Sequence, residues 1–400
     1  MPSTQTVVIV GGGVIGLSAA YQLAKKRAGR VILLDKGPVG DGSSLRAAGI
    51  TTGLLWTETG VAARQIGIRI FEELSEELPG YTYYNRHGCL NLFSEEQWRE
   101  REQLFPLYDR LGTAYEILDA AEIQRRWPAL HPPSSCMGLL DPLGGYSEPA
   151  EYVSALKLRS QEMGVEIREG QRVTSLERNG SRVTGVRTET ELIEADAVIC
   201  AAHAWAPILL NEIGARFPVK YFVHQRYVTE PLEQPLDSPP VNANSHDGYI
   251  RPASGDCILL GASTLEREEF RVARSDFHMS ELSTPLRFRD SVAARLANLI
   301  PVMENVKWSS EHIGLLAFSV DQEPIVGPVG QLPGLFMGIS FHSGGFSYNT
   351  VGGLLLAESV IDGRTSIDID AFSPDRFSEH VTDEFLGTMA TQGQMENRRH

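Results

Sequence analysis

The sequence predicts an α/β fold, α+β overall: one domain of alternating strands and helices on a parallel sheet, with an antiparallel-sheet domain interleaved through it. Three observations carry this. Val7-Val8-Ile9-Val10 runs into Gly11-Gly12-Gly13-Val14-Ile15-Gly16, an apolar strand entering a glycine turn and a helix. Val31-Ile32-Leu33-Leu34 then ends in Asp35, an acid about 20 residues beyond the glycines. From Val219 onward, helix and strand stop alternating and extended segments follow one another.

The first unit reads as a Rossmann-like βαβ that binds a dinucleotide. Gly11 allows the tight turn, Gly13 lets a pyrophosphate reach the backbone, and Gly16 lets the helix lie close to the strand. Phosphates would sit on the unpaired N–H groups of the helix N-terminus, where the macrodipole favours negative charge. Asp35 would accept from both ribose hydroxyls and disfavours a 2′-phosphate. Leu17, Ala20, Leu23 and Ala24 supply the apolar helix face. The unit alone leaves NAD and FAD open.

From Lys36 to Ile50 small and hydroxylated residues predominate, which suits backbone running against a flat ligand. The pattern then predicts a helix over 61–78 with Ile66, Ile70, Phe71 and Leu74 on one side, a strand at 90–93, a helix over 95–111 and one over 118–127 stopped by Pro128. A helix from 149 to 163 precedes strands at 165–168 and 173–176, and Asn179-Gly180 turns a hairpin. The buried strand 195–202, running into Trp205-Ala206-Pro207, returns the chain to the nucleotide sheet. Segments 221–229, 248–251 and 258–261, with a helix over 286–300, read as an antiparallel sheet and its covering helix, lying over the first domain. A last return covers 314–327, a strand at 335–338, the turn Ser343-Gly344-Gly345 and a helix over 348–362. The expected division is therefore 1–82, 148–217 and 312–365 for the nucleotide domain and 83–147 and 218–311 for the substrate domain. Residues 366–400 are expected to form a surface helix with a frayed tail.

Four hundred residues exceed what one core usually serves, which agrees with two domains. A formal net charge of -15 argues against nucleic acid or an anionic membrane as partner. No secretory leader is expected, and no apolar run approaches the ~20 residues of a membrane span. Cys89, Cys136, Cys200 and Cys257 are single and widely spaced, so no CxxC pair and no metal site is proposed. The expectation is reduced thiols in a cytoplasmic protein. Composition leaves the oligomeric state open.

Seven stretches, in order, carry a family resemblance: the glycine turn with Asp35; Ser43-Ser44-Leu45-Arg46-Ala47-Ala48-Gly49; Ala201-Ala202-His203-Ala204-Trp205-Ala206; His224 to Glu230; Asp321 to Pro328; Gly334 to Phe346; and the terminal Phe372-Ser373-Pro374-Asp375-Arg376-Phe377. The chain resembles the FAD-dependent D-amino acid oxidase superfamily, in its glycine oxidase, sarcosine oxidase and dimethylglycine dehydrogenase branch. The resemblance implies a discontinuous FAD-binding domain and a substrate domain whose sheet covers one flavin face. It places Gly11, Gly13, Val14, Ile15, Gly16, Asp35 and Lys36 on the ADP half. Ser43, Ser44, Arg46, Ala47, Ala48 and Gly49 would follow the ribityl chain and ring. Val173, Ala201 and Trp205 would lie beside the adenosine, and Ser343, Gly344, Gly345, Phe346 and Ser347 at the pyrimidine end. The chemistry implied is hydride removal from the carbon beside an amine nitrogen of an amine or amino acid, giving an imine that hydrolyses. Electrons then pass to O2 or another acceptor.

The chain departs from that pattern at several places. Leu316 stands where glycine oxidases carry a carboxylate-clamping arginine, and Ser347 where monomeric sarcosine oxidases carry a lysine. Leu259 stands where some relatives use a lysine to promote reaction with O2, and Arg46 where the dimethylglycine branch attaches its flavin, so FAD is expected to be noncovalent. Arg226, Arg251 and His342 are the expected substitute anchors, with Tyr249 as a further substrate-binding candidate. Arg46, His342 and Ser347 are the residues expected beside the reaction, and His203 is expected to fill a turn by the adenosine. Two other readings stay open: an FAD-dependent 2-hydroxy acid or polyol dehydrogenase, and a flavoprotein subunit of a larger complex.

Overall fold

The computed structural model describes residues 5–395. β1 (Thr6–Val10), α1 (Val14–Lys25) and β2 (Arg30–Leu34) form where expected, and α1 is buried almost all round because the sheet, α6 (Pro149–Glu162) and α9 (Gly345–Ile361) enclose it. β3 (Ile50–Thr51), α2 (Glu58–Glu77), β4 (Tyr83–Tyr84), β5 (Cys89–Phe93), α3 (Glu95–Arg101), α4 (Phe105–Leu111), β6 (Glu116–Asp119), α5 (Ala120–Arg126), β7 (Met137–Asp141) and β8 (Gly145–Ser147) lead up to α6. β9 (Glu166–Arg168), β10 (Val173–Asn179), β11 (Arg182–Thr188), β12 (Leu192–Glu194), β13 (Ala197–Cys200) and α7 (Ala206–Glu212) follow it. The second half comprises β14 (Val219–Thr229), β15 (Val241–Ala243), β16 (Gly248–Ala253), β17 (Cys257–Ala262), α8 (Leu286–Ala297), β18 (Trp308–Ser319), β19 (Ile325–Pro328) and β20 (Leu335–Ile339), then α9, α10 (Glu379–Gly387) and α11 (Gln392–Met395).

Two large sheets organise these elements. A six-stranded sheet runs β19-β20-β13-β1-β2-β9, parallel throughout except for the β19–β20 edge pair. Its central strands β1, β2 and β13 are buried on both faces, as a parallel sheet between covering layers requires, while the edge strand β9 is half-buried. An eight-stranded sheet runs β18-β14-β17-β16-β15-β5-β7-β6, antiparallel except where β15 meets β5. One face packs with α8 on a core of Leu90, Ile250, Leu260 and Leu296; the other roofs the site.

Several elements differ from expectation, each for a local reason. The segment expected to return to the nucleotide sheet at Gly314 is the second half of β18, which pairs with β14 from Trp308 to Ser319. The helix expected over 95–111 breaks around Glu102–Leu104 into α3 and α4, because Pro106 has no N–H to continue it. The helix expected from 118 starts at Ala120. Glu116–Asp119 is a strand on β7, and the Asp119 carboxylate accepts from Glu122 N (2.8 Å) as an N-cap. α2 starts earlier than expected, at Glu58, because Thr57 caps it. The tail is not only a surface helix: Met395 is buried against Phe222 and Phe318. It is tied down as well, since the Lys220 ammonium donates to the Thr388 carbonyl while pairing with Glu269 (2.8 Å). The end expected to fray lies outside the described residues.

Candidate active site

A cavity of about 340 Å³ opens between the C-terminal ends of β1, β2 and β13 and the roof sheet. At its floor, a Cβ on Gly16 would stand 1.9 Å from the Gly11 carbonyl oxygen, so α1 can approach the turn this closely only as glycine. α1 has no side-chain cap on Gly13, and Val14 N donates to Ser44 Oγ (2.9 Å). The Asp35 carboxylate accepts from Gly12 N (2.7 Å) and Gly37 N (2.8 Å), which fixes it at the end of β2. Burial raises its pKa, and these two N–H groups oppose the shift. Gly11, Gly13, Val14, Ile15, Asp35, Lys36, Ser43, Ser44, Arg46, Ala47, Ala48, Gly49, Val173, Ala201, Trp205 and Ser343 to Ser347 all border the cavity, whereas Gly16 lies behind it.

The segment from Ser43 to Gly49 is held along the cavity by hydrogen bonds to three strands of the roof sheet. Ser43 Oγ donates to the Leu315 carbonyl (2.8 Å) on β18. Arg226, on β14, donates from Nε to the Arg46 carbonyl (3.0 Å) and from Nη2 to the Leu45 carbonyl (2.9 Å). Arg251, on β16, donates to the Ala48 carbonyl (2.6 Å) and forms a two-pronged pair with Glu148 (2.7 and 2.9 Å). The expectation that these arginines anchor substrate is therefore corrected. Neither borders the cavity, Arg251 is fully buried, and their donors go to backbone and to Glu148. Arg46 does border it, with Nη1 donating to the Gly42 carbonyl (2.7 Å) and pairing with Asp41 (3.3 Å).

At the far end the roof supplies His224 and Tyr249, joined through Nε2 and the phenol oxygen at 2.9 Å, together with Asn242 and Leu316. Ser347, in the first turn of α9, donates to the Ile50 carbonyl (2.5 Å), so its hydroxyl joins α9 to β3. His342 takes a left-handed φ of 42°, bridges to Ala317, and accepts at Nδ1 from Gly344 N (3.3 Å). Burial holds its imidazole down to about 3 and that of His224 to about 4, each lowered further by an arginine, Arg64 and Arg267 respectively. Arg64 was not foreseen. It sits at i+3 from Val61 and i−4 from Ile68, a cation on the apolar stripe of α2, and that placement was the available signal.

At the opposite end Lys36 donates to the Ser275 carbonyl (3.0 Å) and the Phe277 carbonyl, and lies 4.0 Å over the Trp205 ring. Burial brings its pKa down to about 8. Trp205 Nε1 donates to the same Phe277 carbonyl (3.2 Å). The loop 275–279 thus closes this end, with His278 and Met279 on the cavity wall; nothing in its sequence pattern signals that position. His203, at φ 45°, bonds through Nε2 to the Leu315 carbonyl (3.1 Å), linking the turn after β13 to the roof.

The description "FAD dependent oxidoreductase" belongs to a family model, DAO, that matches residues 6–359. The chain belongs to the DAO family. Its relatives include mouse mitochondrial sarcosine dehydrogenase, 27% identical over 400 residues, covering 96% of this chain and 42% of that protein. The 4-methylaminobutanoate oxidase (formaldehyde-forming) of Paenarthrobacter nicotinovorans is 26% identical and covers 95% of this chain and 46% of its own length. The chain thus spans less than half the length of these two curated relatives. L-proline dehydrogenase from P. horikoshii shares the fold, with a TM-score of 0.84 at 22% identity over 94% of this chain and 98% of that one. The DAO site fits FAD: a glycine cradle and a helix N-terminus whose N-cap residue, Gly13, has no side chain stand beside a fixed carboxylate, and the same cavity continues to the 343–347 loop.

Glu148→Ala leaves Arg251 as a buried cation without its acid. The expected loss is about 3–5 kcal/mol, read as a lowered Tm. If Arg251 instead bound substrate, stability would hold and KM would rise. Acidification should also destabilise the fold. Imidazoles titrate near 6.5 when unfolded but near 3 to 4 here for His203, His224 and His342, so the unfolded chain takes up more protons below pH 6.5. Each should subtract about 1–2 kcal/mol by pH 5, measured as Tm between pH 7 and 5 against variants carrying Gln at these positions.

Proposed function

We propose that the chain oxidises the C–N bond of an amine or amino acid, of the secondary or N-methylated class, with noncovalent FAD. FAD, when bound, supplies the hydride acceptor. The observation that carries this reading is the His224–Tyr249 pair on the roof, a neutral imidazole within hydrogen-bond reach of a phenol, in a cavity also bordered by Arg46 and Arg64. The two cations disfavour an ammonium ion nearby, so an amine enters after leaving its proton in the solvent, and the imidazole, being neutral, adds no further charge for it to meet. Orientation and exclusion of water then do the remaining work.

The N-methylated class is supported by the names of sarcosine dehydrogenase and 4-methylaminobutanoate oxidase among the relatives. Gly11 to Ala48, Val173, Ala201, Trp205 and the 343–347 loop hold the cofactor in this reading, while His224, Tyr249, Leu316 and His342 face the substrate. The division of labour follows the sheets, the six-stranded one carrying cofactor and the eight-stranded one, β18 included, covering the reacting end. Arg46 remains the cation proposed to favour the reduced flavin. A cytoplasmic setting is supported by four free cysteines. Among the described residues no helix is long and apolar enough to cross a membrane.

The test is anaerobic mixing of the FAD-loaded protein with sarcosine, glycine, D-amino acids, proline, N-methylated ω-amino acids and simple amines. Bleaching by a secondary or N-methylated amine, with release of an aldehyde or a primary amine, is expected. Bleaching by 2-hydroxy acids alone would replace the reading with alcohol oxidation. Readmitting air separates an oxidase, whose colour returns rapidly, from a dehydrogenase.

A further inference from the structure

Resting on the amine-oxidation reading, we propose that Arg64 binds a carboxylate carried by the substrate, so that the oxidised amine is an amino acid held by a residue of α2. With Leu316 and Ser347 unable to hold an acid, and Arg226 and Arg251 spent on backbone and Glu148, the cavity would otherwise lack the anchor an amino acid needs.

Arg64 is 1% exposed and borders the cavity. Its Nη1 donates to the Thr52 carbonyl (3.3 Å), and the guanidinium lies 4.0 Å over the Tyr348 ring. Nε and Nη2, the two donors of the side-on fork that fits a carboxylate, have no acceptor among the described residues. The buried acid beyond Thr52 is Asp141, and its oxygens are already taken by Gly53 N (2.6 Å), Leu143 N (3.0 Å), Gly144 N (3.1 Å) and Thr52 Oγ1 (3.1 Å).

A second positive pole meets the guanidinium. The N-terminus of the 17-residue helix α9 begins at Gly344 with no side-chain cap, and a Cβ on Gly344 would stand 2.4 Å from Arg64 Nη2. A cation against a helix N-terminus is unfavourable by itself and becomes favourable with an anion between them. The imidazole of His342 stays neutral and adds no competing acid. A carboxylate supplies the negative charge and the two-oxygen geometry that Nε and Nη2 lack.

The experiment compares the FAD-loaded wild type with Arg64→Met and Arg64→Lys by calorimetric titration with acetate, butanoate and, as a neutral shape match, acetamide. Carboxylate affinity should fall tenfold or more in Arg64→Met and recover in part in Arg64→Lys, with acetamide unaffected. Tm should hold or rise in Arg64→Met, because an apolar chain then replaces an unpaired buried cation; a structural role would lower it. Equal carboxylate affinity in all three proteins, or none in the wild type, overturns the proposal. A shift of the flavin midpoint potential without a change in carboxylate affinity also overturns it, reassigning Arg64 to the reduced flavin. If Arg64→Met does not fold, Arg64→Lys still decides between these outcomes. Carboxylate binding that depends on Arg64 in a protein that no amine bleaches would leave the anchor standing and remove the amine-oxidation reading instead.

Discussion

The site depends on one constraint: the segment from Ser43 to Gly49, which opens with a 3-10 turn over Ser44–Arg46, must stay in place between the roof sheet and the N-terminus of α1. The Ser43 and Ser44 carbonyls accept within that turn and the Gly49 carbonyl from Ser147 N on β8 (3.0 Å), while those of Leu45, Arg46 and Ala48 need other donors, because unpaired buried carbonyls are costly. Two guanidinium groups from the roof meet that need, Arg226 at Leu45 and Arg46 and Arg251 at Ala48, while Glu148 balances Arg251. Burial lowers Arg226 to about 10, a sign of how little water reaches this seam. The roof is thereby registered against the nucleotide sheet through the very backbone expected to run along the flavin.

That arrangement explains why the glycine turn was legible in the sequence and the roof was not. The turn is local: Gly11, Gly16 and Asp35 are dictated by backbone geometry within one βαβ, so spacing alone reveals them. Strand alternation places His224 and Arg226 on one face of β14, but not what stands opposite. Across from Arg226 stand carbonyls, which made a structural residue look like an anchor. Across from His224 stands Tyr249, and a histidine quoted only as part of a motif becomes a wall of the cavity.

The assignment of the segment from Gly314 to the nucleotide sheet failed for a similar reason. β18 is a twelve-residue strand whose first half contributes to the edge of the roof and whose second half passes Ser43 and His203 on the way to β19. Its glycine and apolar residues read equally well as roof or floor, because β18 touches both. The loop over 275–279 was illegible for a different reason. It offers backbone carbonyls to Lys36 and Trp205, and backbone carries no sequence signal.

Charge ties these parts together. The cavity has arginines at three places along its length, Arg172 toward the 275–279 loop, Arg46 near the 43–49 segment and Arg64 below Gly344, and burial holds the imidazoles of His224 and His342 neutral. A positive field of this kind favours electron pairs moving into the site and opposes an ammonium ion entering it. An amine that also carries a carboxylate suits both Arg64 and Arg46: its acid pairs with Arg64 and so offsets the cost of desolvating the substrate, while the positive charge of Arg46 still disfavours protonation of the nitrogen. Leu316 and Ser347 carry no charge, and in this reading the acid is held instead by Arg64, on a helix behind the roof strand and the 343–347 loop.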